Sequence, residues 1–143
     1  MSQQQSEEEK INALVVEIRL LENTYNELTA RQSIVERVVV ESKAALDAII
    51  GLSNVKPNQI LVPIGAGAML KFPAPETDRV MINIGSDVVI EKSKEEAITM
   101  LQNRLKEAEN SLNTLMTQRN QVAQRLEADR QLLESLVRQA QQG

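Results

Sequence analysis

The stretch ILVPIGAGAMLKFPAPETDRVMINIGSDVVIEKSKEEA, residues 60–97, decides the fold. It is built from short runs of β-branched and other apolar residues cut by Gly and Pro, the pattern of brief strands joined by tight turns. Four strands are expected. Gln59 to Ile64 and Ala68 to Phe72 flank Gly65-Ala66-Gly67, where glycine supplies the positive φ that a tight hairpin requires. Arg79 to Ile84 and Val88 to Glu91 flank Gly85-Ser86, with Val80, Ile82 and Ile84 alternating onto one face. Pro73 and Pro75 separate the two hairpins. Four strands this short cannot bury both faces in water, so the segment is expected to find further strands in sister subunits. Ile60, Val62, Ile64, Leu70, Val80, Ile82, Ile84, Val88 and Ile90 are the side chains expected to serve that oligomerisation.

On both sides the period changes to that of a heptad. Upstream, the a positions are Ile11, Ile18, Tyr25, Gln32, Val39 and Leu46, and the d positions are Leu14, Leu21, Leu28, Val35, Ser42 and Ile49. Downstream, Ile98, Leu105, Leu112, Arg119, Leu126, Leu133 and Ala140 alternate with Leu101, Ala108, Leu115, Val122, Asp129 and Leu136. A seven-residue apolar repeat held this long predicts two helices in a coiled coil, each roughly 65 Å long at 1.5 Å per residue. Ser6 with Glu9, and Ser93 with Glu96, have the S-x-x-E spacing of a capping box and are expected to start the helices. Gly51 is the expected left-handed stop of the first, with Pro57 barring continuation. The chain thus divides into helix 1–52, hairpin segment 53–93 and helix 94–143. Since the helices leave the segment at its two ends, they are expected to fold back as one antiparallel pair with both termini at its free tip. The fold class is mainly α with a small β part: a long two-helix coiled coil and two central β-hairpins that join an oligomeric β-barrel.

Composition agrees with seams rather than a deep core. Tyr25 and Phe72 are the only aromatics in 143 residues, and the apolar content is almost all Leu, Ile, Val and Ala. The net charge of −4 is spread: five basic and nine acidic side chains in 1–52, four and four in 53–93, seven and seven in 94–143. Without a concentrated basic patch, neither nucleic acid nor an anionic membrane surface is an expected partner. The chain has no Cys and no His, which removes triads, thiolate zinc sites and disulfides from consideration; no enzyme, metal or cofactor is expected. MSQQQSEEEK lacks a basic and then apolar leader, and no run approaches a membrane span, so a cytoplasmic protein is expected.

Three features invite a functional reading. Gly65-Ala66-Gly67 lacks the third glycine and the Lys-Ser/Thr of a phosphate loop and is better taken as a turn. Glu7, Glu8 and Glu9 point in different directions on a helix and are better taken as an acidic first turn facing the helix dipole. Gln32, Arg119 and Asp129 interrupt the seams either as register devices or at layers that admit water. The helix ends nearest the termini hold more apolar residues than a two-stranded seam uses. Val15, Val16 and Leu20 join Ile11, Leu14 and Ile18, while Leu132 and Val137 join Leu133 and Leu136. Two readings of this surplus stand: the last core layers, or an open apolar end that binds another chain.

The central stretch resembles the middle of alpha-class prefoldin subunits, and the helix, two hairpins, helix order matches that family over the whole chain. The resemblance rests on L-V-P-I at Leu61 to Ile64, V-x-I-x-I-G from Val80 to Gly85, and V-x-I-E-K-S from Val88 to Ser93. Asp87-Val88-Val89 departs from it, since family members often carry Gly-Tyr-Tyr or similar there. The small, aromatic-poor chain is more similar to archaeal than to eukaryotic members. The resemblance implies a hetero-hexamer of two alpha-class and four beta-class subunits, a double β-barrel body bearing six coiled-coil arms. It implies capture of non-native polypeptides at the arm tips without ATP, here Ile11, Leu14, Val15, Ile18, Leu132, Leu133, Leu136 and Val137, and delivery to a group II chaperonin. The rival reading from the residues alone is a coiled-coil scaffold or tethering subunit; an RNA-binding arm is disfavoured by the divided charge.

Overall fold

The computed structural model describes residues 2–142, with side chains from Ser6 onward. Helix α1 runs Ser2–Val55, strands β1 to β4 occupy Gln59–Gly65, Ala68–Pro73, Arg79–Asn83 and Val89–Ser93, and helix α2 runs Lys94–Gln142. With 54 and 49 residues, the helices reach about 81 and 74 Å at 1.5 Å per residue, longer than their heptads alone predict.

Both ends of α1 differ from expectation. The helix begins at Ser2, so Ser6 lies inside it and is not the cap, and Glu7, Glu8 and Glu9 follow a first turn that holds no acidic residue. A capping motif embedded in a longer helical run has no free N–H groups to satisfy. At the other end Gly51 stays helical; the left-handed residue is Lys56, φ 48°, whose N–H donates to the Leu52 carbonyl at 3.1 Å before Pro57 stops the chain. Ile49 at the seam and the Ser53 hydroxyl, 3.1 Å from Thr77 Oγ1, hold this extra turn against the ~1 kcal/mol cost of a helical glycine. The second start is as expected: the Glu96 N–H donates to Ser93 Oγ at 3.2 Å, and Glu95 and Glu96 occupy the acidic first turn of α2.

The heptad assignment accounts for burial along both helices. Every a and d residue of α1 from Ile11 to Ile49 is buried or half-buried, and so is every one of α2 from Ile98 to Leu136; Ala140 is exposed. The chain divides into two compact units, one of residues up to 36 with those from 110 on, the other of residues 37–109. In the first, Glu17 meets Arg125 at 2.8 Å and Glu22 meets Arg130 at 3.0 Å. These are g-to-g and e-to-e pairs, the flanking charge pattern of antiparallel helices. In the second, Lys43 and Glu109, both e positions, stand 4.0 Å apart.

The hairpins lie in the second unit and form separate two-stranded sheets, β1 with β2 and β3 with β4, both antiparallel. Gly65 faces Ala68 after a register shift past Pro63, and Ala66 and Gly67 close the turn at φ 51° and 78°, the type I′ signature. In the second hairpin the turn falls one residue later than expected. Ser86 and Asp87 hold φ 51° and 61°, the Val88 N–H donates to the Gly85 carbonyl at 2.9 Å, and the Asn83 side chain accepts from the Gly85 N–H at 2.8 Å. β3 accordingly ends at Asn83 and β4 begins at Val89, running on to Ser93 rather than stopping at Glu91. Arg104 of α2 donates to the Asn83 carbonyl at 2.6 Å, tying this hairpin to the helix. Ile82 and Ala97, 5% and 0% exposed, are the unit's most covered side chains.

Candidate functional site

Two surfaces stand out, one in each unit. In hairpin β1–β2, directly opposed residues share a face, so Ile60 with Phe72 and Val62 with Leu70 make one apolar patch, while Leu61 and Met69 lie on the other side. Leu61, Val62, Ile64, Met69, Leu70 and Phe72 are all exposed, and Ile60 is half-buried. Neither face of this hairpin is covered by its own chain. A two-stranded sheet left in that state is marginal in water, and contiguous exposed apolar area of this kind marks a surface that another chain covers.

Hairpin β3–β4 is graded. Ile82 pairs with Ile90 and Val80 with Lys92 on the face that the chain covers: Ile82 is buried, Val80 and Ile90 half-buried. Toward the turn that face continues through Ile84, whose N–H donates to the Val88 carbonyl at 2.9 Å, and there both side chains are about half exposed. Of the nine side chains expected to serve assembly, Val62, Ile64, Leu70, Ile84 and Val88 are open, Ile60, Val80 and Ile90 half-open, and Ile82 belongs to the chain's own core. Phe72 was missed, although the period of two that placed Leu70 also placed Phe72 beside it.

The second surface is the end of the first unit that carries both termini. Its seam is filled by Leu14, buried, with Ile11, Ile18, Leu133 and Leu136 half-buried. Around the seam lie side chains that the pair does not cover: Val15 37%, Val16 56%, Leu20 62%, Leu132 50% and Val137 37% exposed. The expected tip residues therefore divide by depth, with Val15, Leu132 and Val137 presented directly and the other five reachable only at the seam's edge or on parting of the helices. Glu17, Glu22, Arg125 and Arg130 border this apolar region as exposed ion pairs, which add little stability.

Deeper in the same unit the seam carries a polar cluster. Arg119 donates through Nη1 to Gln32 Oε1 and through Nη2 to the Tyr25 hydroxyl, each at 3.0 Å, with its guanidinium 5.1 Å from the Tyr25 ring centre. This removes the open question for Gln32 and Arg119: they are partners. Asp129 is buried with only partial pairing. Among the described residues no group of His, Cys, Asp or Glu is placed to hold a metal, and no helix is long and apolar enough to cross a membrane.

Comparison with known proteins places this geometry. The profile of the Prefoldin family, described as Prefoldin subunit, matches residues 3–139. Prefoldin subunit alpha of Nitrosopumilus maritimus (strain SCM1) is 31% identical over 142 residues, covering 99% of this chain and 94% of that protein. Prefoldin subunit alpha of Methanoregula boonei is 37% identical over 95 residues, 62% of each chain. Among solved structures, the prefoldin beta subunit from Thermococcus strain KS-1 superposes with a TM-score of 0.62 over 87% of this chain and 90% of that one, at 18% identity, a likeness of fold. The two heptad helices, the paired hairpins and the apolar surplus thus sit on a chain that belongs to the prefoldin family of chaperone subunits, with alpha subunits as its relatives.

Proposed function

We propose that this chain is the alpha-class subunit of an ATP-independent holdase. It captures unfolded polypeptides at the helix-pair end around Ile11, Leu14, Val15, Ile18, Leu132, Leu133, Leu136 and Val137. The observation that carries the reading is the set of uncovered aliphatic side chains there, Val15, Val16, Leu20, Leu132 and Val137, with charged pairs nearby. An unfolded chain is recognised by its exposed apolar side chains, whatever their order. Small aliphatic contacts on a narrow pair of helices suit weak, sequence-tolerant and reversible binding.

In this proposal residues 53–93 assemble the complex and residues 1–52 and 94–143 form its arm. The open faces of β1–β2 and the turn end of β3–β4 pair with four beta-class subunits and a second alpha subunit to close a β-barrel body. Release to a group II chaperonin in the cytoplasm completes the cycle. The assembled protein is expected to suppress aggregation of unrelated denatured proteins without nucleotide. Deletion of residues 1–18 and 132–143 is expected to abolish that protection while leaving assembly intact. Retained protection after the deletion would refute the reading, and a complex that assembles but never protects would identify a scaffold instead.

A further inference from the structure

The capture reading leaves one buried group unused. Asp129 occupies a d position of α2, where an apolar residue would continue the seam, and is 5% exposed. Its Oδ1 lies 3.4 Å from Arg125 Nε, while its Oδ2 is buried without a hydrogen-bond partner. Arg125 is itself engaged by Glu17, through Nε at 3.0 Å and Nη2 at 2.8 Å, so a single guanidinium serves two carboxyl groups. The neighbouring Arg130 is taken by Glu22. A buried carboxyl group with half a partner is costly to keep dry, and the cost falls whenever the helices part and water enters.

What lies on either side of Asp129 gives that cost a direction. Toward the termini the seam consists of Leu133 and Leu136 on α2 and Ile11 and Leu14 on α1. Toward the interior stands the Arg119 cluster, in which the guanidinium has found both Tyr25 and Gln32. We propose that Asp129 is a weak layer built into the helix pair, which lets the stretch between it and the termini open, and that the Arg119 cluster is where the opening stops. Opening would present Ile11, Leu14, Leu133 and Leu136 beside the already exposed Val15, Leu132 and Val137. It would widen the capture surface on demand; this consequence rests on the capture reading, whereas the opening itself does not.

Amide hydrogen exchange on the full-length chain tests the proposal, comparing wild type with Asp129→Leu, Asp129→Asn and Arg119→Leu. Helical content by circular dichroism confirms that each variant folds. Asp129→Leu is expected to slow exchange by about tenfold or more across residues 8–22 and 122–140, with residues 37–109 unchanged, because leucine continues the apolar seam while Arg125, largely exposed and still held by Glu17, is not left as a buried unpaired charge. Asp129→Asn, still polar, is expected to fall between. Arg119→Leu is expected to let fast exchange spread into residues 22–35 and 112–122. Wild-type rates over residues 8–22 in Asp129→Leu would overturn the weak layer, and unchanged rates in Arg119→Leu would overturn the stop. Aggregation suppression by the assembled protein carrying the same substitutions separates this from the capture reading. Slower exchange with undiminished protection would leave the weak layer standing and refute its part in capture.

Discussion

Arg119 lies over the ring of Tyr25, 5.1 Å from its centre, and donates to that ring's hydroxyl at 3.0 Å. The same guanidinium reaches Gln32 one heptad further along α1, about two turns on, so one side chain of α2 spans two a positions of α1. Leucine seams alone tolerate a slip of one heptad, because each layer resembles the next; a planar donor with two assigned acceptors does not.

Arg119→Ala is therefore expected to destabilise the helix pair by about 1–3 kcal/mol, as it leaves Gln32 and Tyr25 without their charged donor. Tyr25→Phe is expected to cost about 1 kcal/mol, since the ring and its contact with the cation remain. Urea unfolding followed by far-ultraviolet circular dichroism checks both. A double mutant whose cost equals the sum of the two would show that the residues are independent.

The β1–β2 turn offers a gain rather than a loss. Ala66 is held at φ 51°, which an L side chain adopts at a cost of about 1–2 kcal/mol and glycine without it. Ala66→Gly is expected to raise stability by several tenths to about 1 kcal/mol, and Ala66→Asn by a similar amount, while Ala66→Val is expected to lower it. Thermal melting of the three variants gives the order.

Assembly and folding are expected to separate at the hairpin surface. Leu70→Ser with Phe72→Ser removes apolar area that no part of the chain covers, so the helices are expected to keep their content while the mass of the particle falls. Light scattering of the chain alone and with a co-expressed beta-class subunit reads the outcome. By contrast Ala97→Leu, at a position with no exposure, is expected to disturb the chain's own packing by about 1–3 kcal/mol.

How far these features were legible in the sequence varied with their physics. The seam was legible almost residue by residue, because a heptad that must be buried leaves its period in the sequence. Ser93 with Glu96 was legible as a start because β4 ends there; Ser6 with Glu9 was misleading because the helix already runs through it. Gly51 and Lys56 show the same limit at the other end: a glycine permits a left-handed stop, yet the stop falls where Pro57 forces it. The Ser86-Asp87 turn was displaced from Gly85-Ser86 by the Asn83 side chain accepting from the Gly85 N–H, a contact that spacing does not encode. The pairing of Arg119 with Tyr25 and Gln32 was hidden for a different reason. Stagger between antiparallel helices is degenerate by a heptad until a particular polar contact breaks the tie.

Capture by the helix ends can be read out by site-specific photo-cross-linking. A photoreactive residue is placed singly at Val16, Leu132, Val40 or Met81, all exposed apolar positions, and the assembled protein is irradiated with a denatured, labelled polypeptide in the absence of nucleotide. Adducts are expected from Val16 and Leu132, with little from Val40 or Met81. Equal labelling at all four positions, or labelling confined to Val40 or Met81, would contradict capture by the helix ends.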